Sequence, residues 1–475
     1  MLIGSTMVKT LSSHDRDWEF DPPWGHSFLT SEIDWQRPYE RYETMRNNIV
    51  ATGAEEIHYE IREIVAVAKE FEKMGVKVSW ENIGDPVNKG EKIPAWIKSI
   101  VKEAADDEST YAYSPTMGLE KTRDFLAEQT NKRGGIKITK DDIIFFNGLG
   151  DAISKVYGLL KREARVVGPS PAYTTHSSSE AMHASTKPLT YNLDPHNHWY
   201  PDLDDLRKKV EYNPVVSGIT IINPNNPTGA VYPKEIMREI VDIAKEFDLF
   251  VISDEIYANI YYNGTKSVLL GDIIGDVCGI SMKGISKEVP WPGARCGWIE
   301  VYNADKDSMF KRYIKSIIDD KMLEVCSTTL PQSVIPNIYS DKRYRDHQKE
   351  RNKLFEKRAI LAHAMLEEVN GIHAERANGA FYMTVVFEKQ LNNKQKLKIE
   401  NKNVREYVER IVSNVAPDKR FAYYLLGATG ICIVPLSGFE SDLNGFRITL
   451  LETDEKRFEW IFKTLAKSIQ EYLNS

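Results

Sequence analysis

An α/β protein built on a mostly parallel sheet is what the sequence predicts, and three observations predict it. Between residues 143 and 302, apolar runs of strand length alternate with stretches whose apolar residues recur at helical spacing. Several runs end in polar or glycine-bearing turns, and open parallel sheets bind ligands there, beyond the carboxyl ends of their strands. The chain has 475 residues and 42% hydrophobic side chains, enough to bury the core of about two to three domain-sized units.

Composition narrows the function classes. Lys+Arg 62 against Asp+Glu 69 gives a net charge of −7 spread along the chain, so no basic stripe suited to nucleic acid is built. Cys278, Cys296, Cys326 and Cys432 lie far apart without a Cys-x-x-Cys pair, and they read as reduced core thiols of a cytoplasmic protein. No apolar run approaches the roughly 18 residues of a spanning helix, and residues 1–10 lack the charged start and apolar length of a signal peptide. Neither nucleic acid nor a membrane is an expected partner.

The elements follow in order. Up to about Thr52 the chain carries Trp18, Phe20, Trp24, Phe28, Trp35, Tyr39 and Tyr42 without periodicity, and this reads as an arm that packs on something. Ile57, Ile61, Ile64, Val65, Ala68 and Phe71 recur at three and four, predicting an amphipathic helix over 55–74 that Gly75 stops. A strand at 76–80 runs into Ile83-Gly84-Asp85-Pro86, where glycine lets the backbone approach something closely. A helix at 96–105 precedes Tyr111-Ala-Tyr113-Ser-Pro115-Thr-Met-Gly118 and a helix at 119–132. Strand 143–146 meets Asn147-Gly148-Leu-Gly150-Asp151, which opens a helix to about 160. N–H groups at such a helix start can hold a phosphate, although the turn is common without a ligand.

Strand 165–167 ends at Gly168-Pro-Ser-Pro-Ala-Tyr173. His196-Asn-His198 offers two imidazoles and no third ligand in view, so it reads as a polar loop and no metal is expected. Strand 219–222 ends in Asn223-Pro-Asn-Asn226-Pro-Thr-Gly229, and helix 234–247 leads to strand 249–253 and Asp254-Glu-Ile-Tyr257. Strand 296–302 and helices 306–325 and 341–369 follow. A second α/β unit closes the chain, with strand 380–387, helix 404–414, apolar segments 430–435 and 446–450, and helix 455–473. Its Lys/Asn-rich segment 388–403 reads as a solvated insertion.

The chemistry gathers in Ser281-Met-Lys-Gly-Ile-Ser-Lys287-Glu-Val-Pro-Trp-Pro-Gly-Ala-Arg295. A lysine becomes a nucleophile toward carbonyls when partial burial or neighbouring cations lower its pKa. Past the Pro-Trp-Pro-Gly turn, Arg295 can fold back to grip a phosphate through two parallel hydrogen bonds. Alone, a Ser-Lys pair is an ordinary solvated loop, Asp254-Glu255 a solvated strand end and Arg447 a structural ion pair. The parallel-sheet reading adds that Asn226, Asp254 and Lys287 converge on one sheet edge.

Together, Asn226-Pro-Thr-Gly229, Asp254 with Tyr257, Ser286-Lys287 and Arg295 resemble the fold type I, pyridoxal-phosphate-dependent aminotransferases of class I and II, in order and approximate spacing. The likeness covers nearly everything from about Glu55 to the C-terminus. It implies pyridoxal 5'-phosphate as cofactor and a homodimer. It also implies a large domain over 95–345 with a mostly parallel seven-stranded sheet, a smaller α/β domain of 53–94 with 346–475, and the arm 1–52. By the same resemblance, Lys287 would hold the cofactor covalently and later move a proton at the substrate Cα, while Asp254 would face the pyridine nitrogen. Asn226 and Tyr257 would bond the phenolic oxygen, and Tyr173 would stack on the ring. The N–H groups of Gly150 and Asp151 would take the phosphate with Arg295 and Ser286, and Tyr113 would reach it from the other subunit. Gly84 would touch substrate, and Arg447 would grip its α-carboxylate at two points. Gly284 departs from the pattern, since many relatives carry a phosphate-bonding serine there.

Asn82-Ile-Gly84-Asp-Pro86, Trp199-Tyr-Pro-Asp-Leu-Asp-Asp-Leu206, Ile221-Ile-Asn-Pro-Asn-Asn-Pro-Thr-Gly-Ala-Val231 and Thr429-Gly-Ile-Cys-Ile-Val-Pro-Leu-Ser-Gly-Phe439 are similar to the alanine (glutamate-pyruvate) aminotransferase branch. The arm and the Lys/Asn-rich segment do not match it. The expected activity is amino-group transfer between an L-amino acid, alanine or glutamate first, and a 2-oxo acid. Aspartate aminotransferase and a lyase or decarboxylase on the same scaffold are the alternatives. A DNA-binding regulator is disfavoured, because the first fifty residues are too acidic and aperiodic for a helix-turn-helix.

Overall fold

Strands whose side chains are apolar on both faces assemble into one central sheet. In the computed structural model, which describes residues 48–57 and 60–475, the strands are β1 (Ser79–Trp80), β2 (Ile143–Phe146), β3 (Arg165–Ser170), β4 (Thr190–Asp194), β5 (Tyr200–Pro201), β6 (Val216–Ile222), β7 (Phe250–Asp254), β8 (Gly279–Gly284) and β9 (Gly297–Tyr302), then β10 (Ile372–Ala374), β11 (Tyr382–Phe387), β12 (Ile431–Cys432), β13 (Val434–Pro435) and β14 (Gly445–Thr449). The aromatic residues Trp18 to Tyr42 lie outside the described residues. Ala51–Ser475 form one compact unit.

The central sheet has the order β2-β9-β8-β7-β6-β3-β4-β5. From β8 to β4 every pairing is parallel, whereas β9 runs against both β2 and β8. Seven strands are those of the expected sheet. The eighth, β5, is a two-residue edge strand folded back on β4 through a turn in which His198 and Trp199 take positive φ. Side chains alternate between two buried faces. Ile143, Phe145, Val167, Ile219 and Val251 fill one core, and Ile144, Phe146, Val166, Ile252 and Ile280 fill the other. Burial on both sides explains why these strands read as continuous apolar runs.

The C-terminal third forms a four-stranded antiparallel sheet, β10-β11-β14-β13, and β1 pairs in parallel with β12. Its core joins Phe381, Phe421, Phe446 and Tyr472 to Ile64 and Phe71 of the helix Glu60–Lys73. Among the described residues, no helix is long and apolar enough to cross a membrane.

Several details differ from the sequence reading. The strand at 76–80 contracts to β1, the part with a partner. Two helices were not anticipated. Thr329–Ser340 contains Pro336 yet buries Val334, Ile335 and Ile338, so tertiary packing overrides the proline. Pro417–Thr429 buries Phe421, Ala422, Tyr424, Leu425 and Leu426, which leaves no polar stripe to announce a helical period. Segment 388–403 is not simply solvated, because Leu391, Gln395, Leu397 and Ile399 are buried. Its alternation Gln395-Lys-Leu397-Lys-Ile399 was masked by the lysine and asparagine content. Glu255 is no solvated strand end: it is buried, accepts from Leu270 N (2.7 Å) and Ser281 Oγ (3.0 Å), and desolvation raises its pKa.

Candidate active site

Three adjacent parallel strands deliver the expected residues to one edge. Ile222 of β6 lies opposite Asp254 of β7, and Asp254 lies opposite Met282 of β8. Asn226 follows β6, Asp254 ends β7, and Lys287 follows the end of β8.

The Lys287 ammonium donates to Gly84 O at 2.7 Å and stands 5.8 Å from the centre of the Phe381 ring. Its pKa falls from 10.5 to about 8. Burial is the largest cause, Arg447 and Arg295 add to it, and Asp85 and Asp254 oppose it. A lysine so tuned is uncharged in a useful fraction near neutrality.

Asp254 is buried and doubly held. Oδ1 accepts from Ile256 N at 3.0 Å and Oδ2 from His176 Nε2 at 3.1 Å. With Nε2 as donor, His176 Nδ1 is left to accept from Tyr157 Oη at 3.3 Å, and Tyr157 Oη lies 2.8 Å from Thr220 Oγ1. This chain orients the carboxylate. The sequence reading missed His176, whose one signal was its place on the helix turn that follows Tyr173.

Arg447, on β14, is 1% exposed. Its Nη1 donates to Asn226 Oδ1 at 3.2 Å and its Nη2 to Asn82 O, and the guanidinium sits 4.5 Å from the Tyr382 ring centre and 5.0 Å from that of Phe439. Tyr382 was also missed. Its hydroxyl meets Tyr257 Oη at 2.9 Å, and a Cβ on Gly84 would lie 1.9 Å from it, so only glycine lets β11 and the Gly84 loop close up. Burial raises the Tyr257 pKa well above its ordinary value.

Arg295 and the turn before the helix Leu149–Gly158 form a second group. Arg295 Nη2 donates to Asn147 O at 3.4 Å, and a Cβ on Gly148, at φ +86°, would lie 2.3 Å from that same nitrogen. Gly150 is exposed. Asp151 N donates to Gly148 O at 3.2 Å, and its side chain accepts from Asn147 N at 3.0 Å. Tyr173 is half-buried, with its ring 6.5 Å from His176, and Ser286 is half-buried beside Lys287. Tyr113 is not brought to these groups within the chain, and is 85% exposed.

The aminotransferase class I and II family profile matches residues 80–460. This chain is a class I and II aminotransferase. The enzyme is 61% identical over 91% of its length to an uncharacterized aminotransferase of Methanocaldococcus jannaschii, all of which is covered. It is 30% identical over 69% of its length to the glutamate-pyruvate aminotransferase AlaA of Escherichia coli, 80% of which is covered. The solved alanine aminotransferase of Pyrococcus furiosus superposes with a TM-score of 0.78 at 28% identity, over 89% of this chain and all of that one. The aminotransferase uses pyridoxal 5'-phosphate and acts on amino acids and oxo acids.

The residues present fit that cofactor and its substrates. Around Arg447 lie buried polar atoms without partners, namely both side-chain atoms of Asn82 and Arg447 Nε itself. A lysine of lowered pKa, a buried carboxylate at a strand end and an arginine over a glycine turn supply the donor set for an aldehyde, a ring nitrogen and a phosphate.

Proposed function

We propose that this aminotransferase exchanges the amino group between alanine or glutamate and the 2-oxo acids pyruvate or 2-oxoglutarate. The observation that carries the reading is that the Lys287 amine donates to Gly84 O and the Arg447 guanidinium to Asn82 O, two carbonyls of one short loop. An amine and a carboxylate receptor thereby act on one small molecule. The choice of alanine and glutamate is supported by the alanine and glutamate-pyruvate aminotransferases among the relatives.

Pyridoxal phosphate supplies an aldehyde that takes up the amino group and a ring that accepts electrons from the substrate carbon. Lys287, Asp254, Asn226, Tyr257, Tyr173, Ser286, Arg295 and the N–H groups of Gly150 and Asp151 would hold it. Uncharged Lys287 Nζ takes the proton from the substrate Cα and returns one. Asp254, fixed by His176, would supply the negative charge that keeps the ring nitrogen protonated. Arg447 releases Asn226 Oδ1 and Asn82 O to take the α-carboxylate through two nitrogens, with Tyr382 and Phe439 keeping its plane.

In this reading 95–345 is the cofactor-holding domain and 53–94 with 346–475 the smaller one, and their apolar cores run into each other, with Tyr257, Ile260 and Tyr262 packed among the residues of the smaller domain and Val434, Leu436 and Phe439 among those of the larger. The enzyme works as a homodimer in the cytoplasm. Support for the dimer is an exposed apolar face: Ser114 Oγ and Thr329 Oγ1 tie the Tyr113 loop to 327–329, next to Met322, Leu323 and Val325. A second copy covering this face would bring its Tyr113 to the phosphate. Four free cysteines, two of them buried, suit a reducing compartment.

The test is a panel of amino donors against pyruvate and 2-oxoglutarate. Alanine with 2-oxoglutarate and glutamate with pyruvate should rank among the highest in kcat/KM. Aspartate or an aromatic donor ahead of both by more than about 10-fold, a difference of about 1.4 kcal/mol, would reject the substrate assignment and leave the family standing.

A further inference from the structure

Away from Lys287, the turn 195–199 between β4 and β5 meets the β10–β11 hairpin. His373 of β10 lies opposite Val386 of β11, and Glu388 follows Val386 by the two residues that return a strand to the same face. His373 and Glu388 thus stand on one face as a diagonal pair. His196 reaches that face from the turn, with its ring 4.7 Å from that of His373. One nitrogen from each imidazole and one Glu388 oxygen all lie within 4.8 Å of one another.

A second, independent observation concerns how the rings are held. His373 Nε2 donates to Pro195 O at 2.7 Å, which leaves Nδ1 as the atom with a lone pair. A backbone carbonyl holding one ring N–H is the arrangement that orients metal-ligating histidines through their other nitrogen. Beside it, His198 Nδ1 donates to Glu375 Oε1 at 2.8 Å, a further tie between the same two segments.

We propose that His196, His373 and Glu388 bind one divalent first-row metal ion of the zinc type, with water completing its coordination. Two imidazoles and a carboxylate suit Zn²⁺, Co²⁺ or Ni²⁺ better than Ca²⁺ or Mg²⁺, which prefer oxygen alone. Bonds of about 2.0–2.2 Å to each ligand require the donors to draw in by roughly an ångström. His196 and Glu388 are exposed and have the rotamer freedom to do so. The ion would clamp the sheet edge at β4–β5 to the β10–β11 hairpin.

The test takes the full-length, cofactor-loaded enzyme, strips it with a chelator, and titrates it with Zn²⁺ by calorimetry and with Co²⁺ by visible d–d absorption. One ion per chain is expected, with a higher unfolding temperature in Zn²⁺. His373→Ala and Glu388→Gln should each weaken binding by at least about 10-fold, the low end of what loss of a supporting partner alone costs. Glu388→Gln preserves size, and cofactor absorbance and transamination report that each variant is folded. Absent uptake, or uptake equal in wild type and both variants, overturns the proposal.

Discussion

At Lys287, chemistry and stability pull against each other. The amine is lowered from 10.5 to about 8 mainly by burial. Near pH 7 about one molecule in ten carries it uncharged, and near pH 9 about nine in ten do. Capture of added pyridoxal phosphate by cofactor-free enzyme should therefore accelerate with pH around a midpoint near 8, followed by stopped-flow absorbance. Lys287→Ala should lose covalent capture and slow turnover by at least about 100-fold. A capture rate that is flat from pH 7 to 10 would refute the lowered pKa. Between about 8 and 10.5 the unfolded chain binds the proton that the folded chain has lost, so this group's contribution to stability rises with pH across that window. Below it, the full cost of a buried cation is present.

The elements explain a departure that looked like a missing contact. Gly284 ends β8 opposite Gly297 of β9, and a Cβ there would lie 3.0 Å from Cys296 O and 3.2 Å from both Gly297 Cα and Ile256 Cδ1. The antiparallel turn-back of β9 takes the space that a serine would need. Gly284→Ser should therefore cost about 1–3 kcal/mol, read as a lower denaturant midpoint, rather than add a phosphate contact. Unchanged stability with tighter cofactor binding would show that the strand pair gives way. Both glycines were visible in the sequence, but their pairing depends on β8–β9 register.

For the whole molecule, the exposed face that carries Tyr113 (85% exposed) and Leu323 (86% exposed) makes association the testable property. Light scattering should give twice the chain mass across the working concentration range. Leu323→Lys should dissociate the dimer and lower activity in parallel, because a charge placed on the apolar face would be left without a partner once that face is covered. A fully active monomer would remove both the dimer and the shared site. The proposed metal clamp lies elsewhere, at the β4–β5 edge, so the two tests are independent.

Local sequence sets the alternation of buried strands and helices, and the placement of Asn226, Asp254 and Lys287 at the tips of β6, β7 and β8. These are local: apolar period and turn chemistry set where strands end, and parallel pairing then aligns the ends. The resemblance of four ordered motifs carried the cofactor. The support of those residues comes from long-range packing. His176 reaches Asp254 across helix and sheet, Tyr382 packs over Arg447 from β11, and Gln395, Leu397 and Ile399 turn inward from a lysine-rich stretch. Likewise His196 gains His373 and Glu388 only through the pairing of β10 with β11. Such contacts join residues far apart in the chain. No local period records them, because they arise from which surfaces the packed core brings face to face.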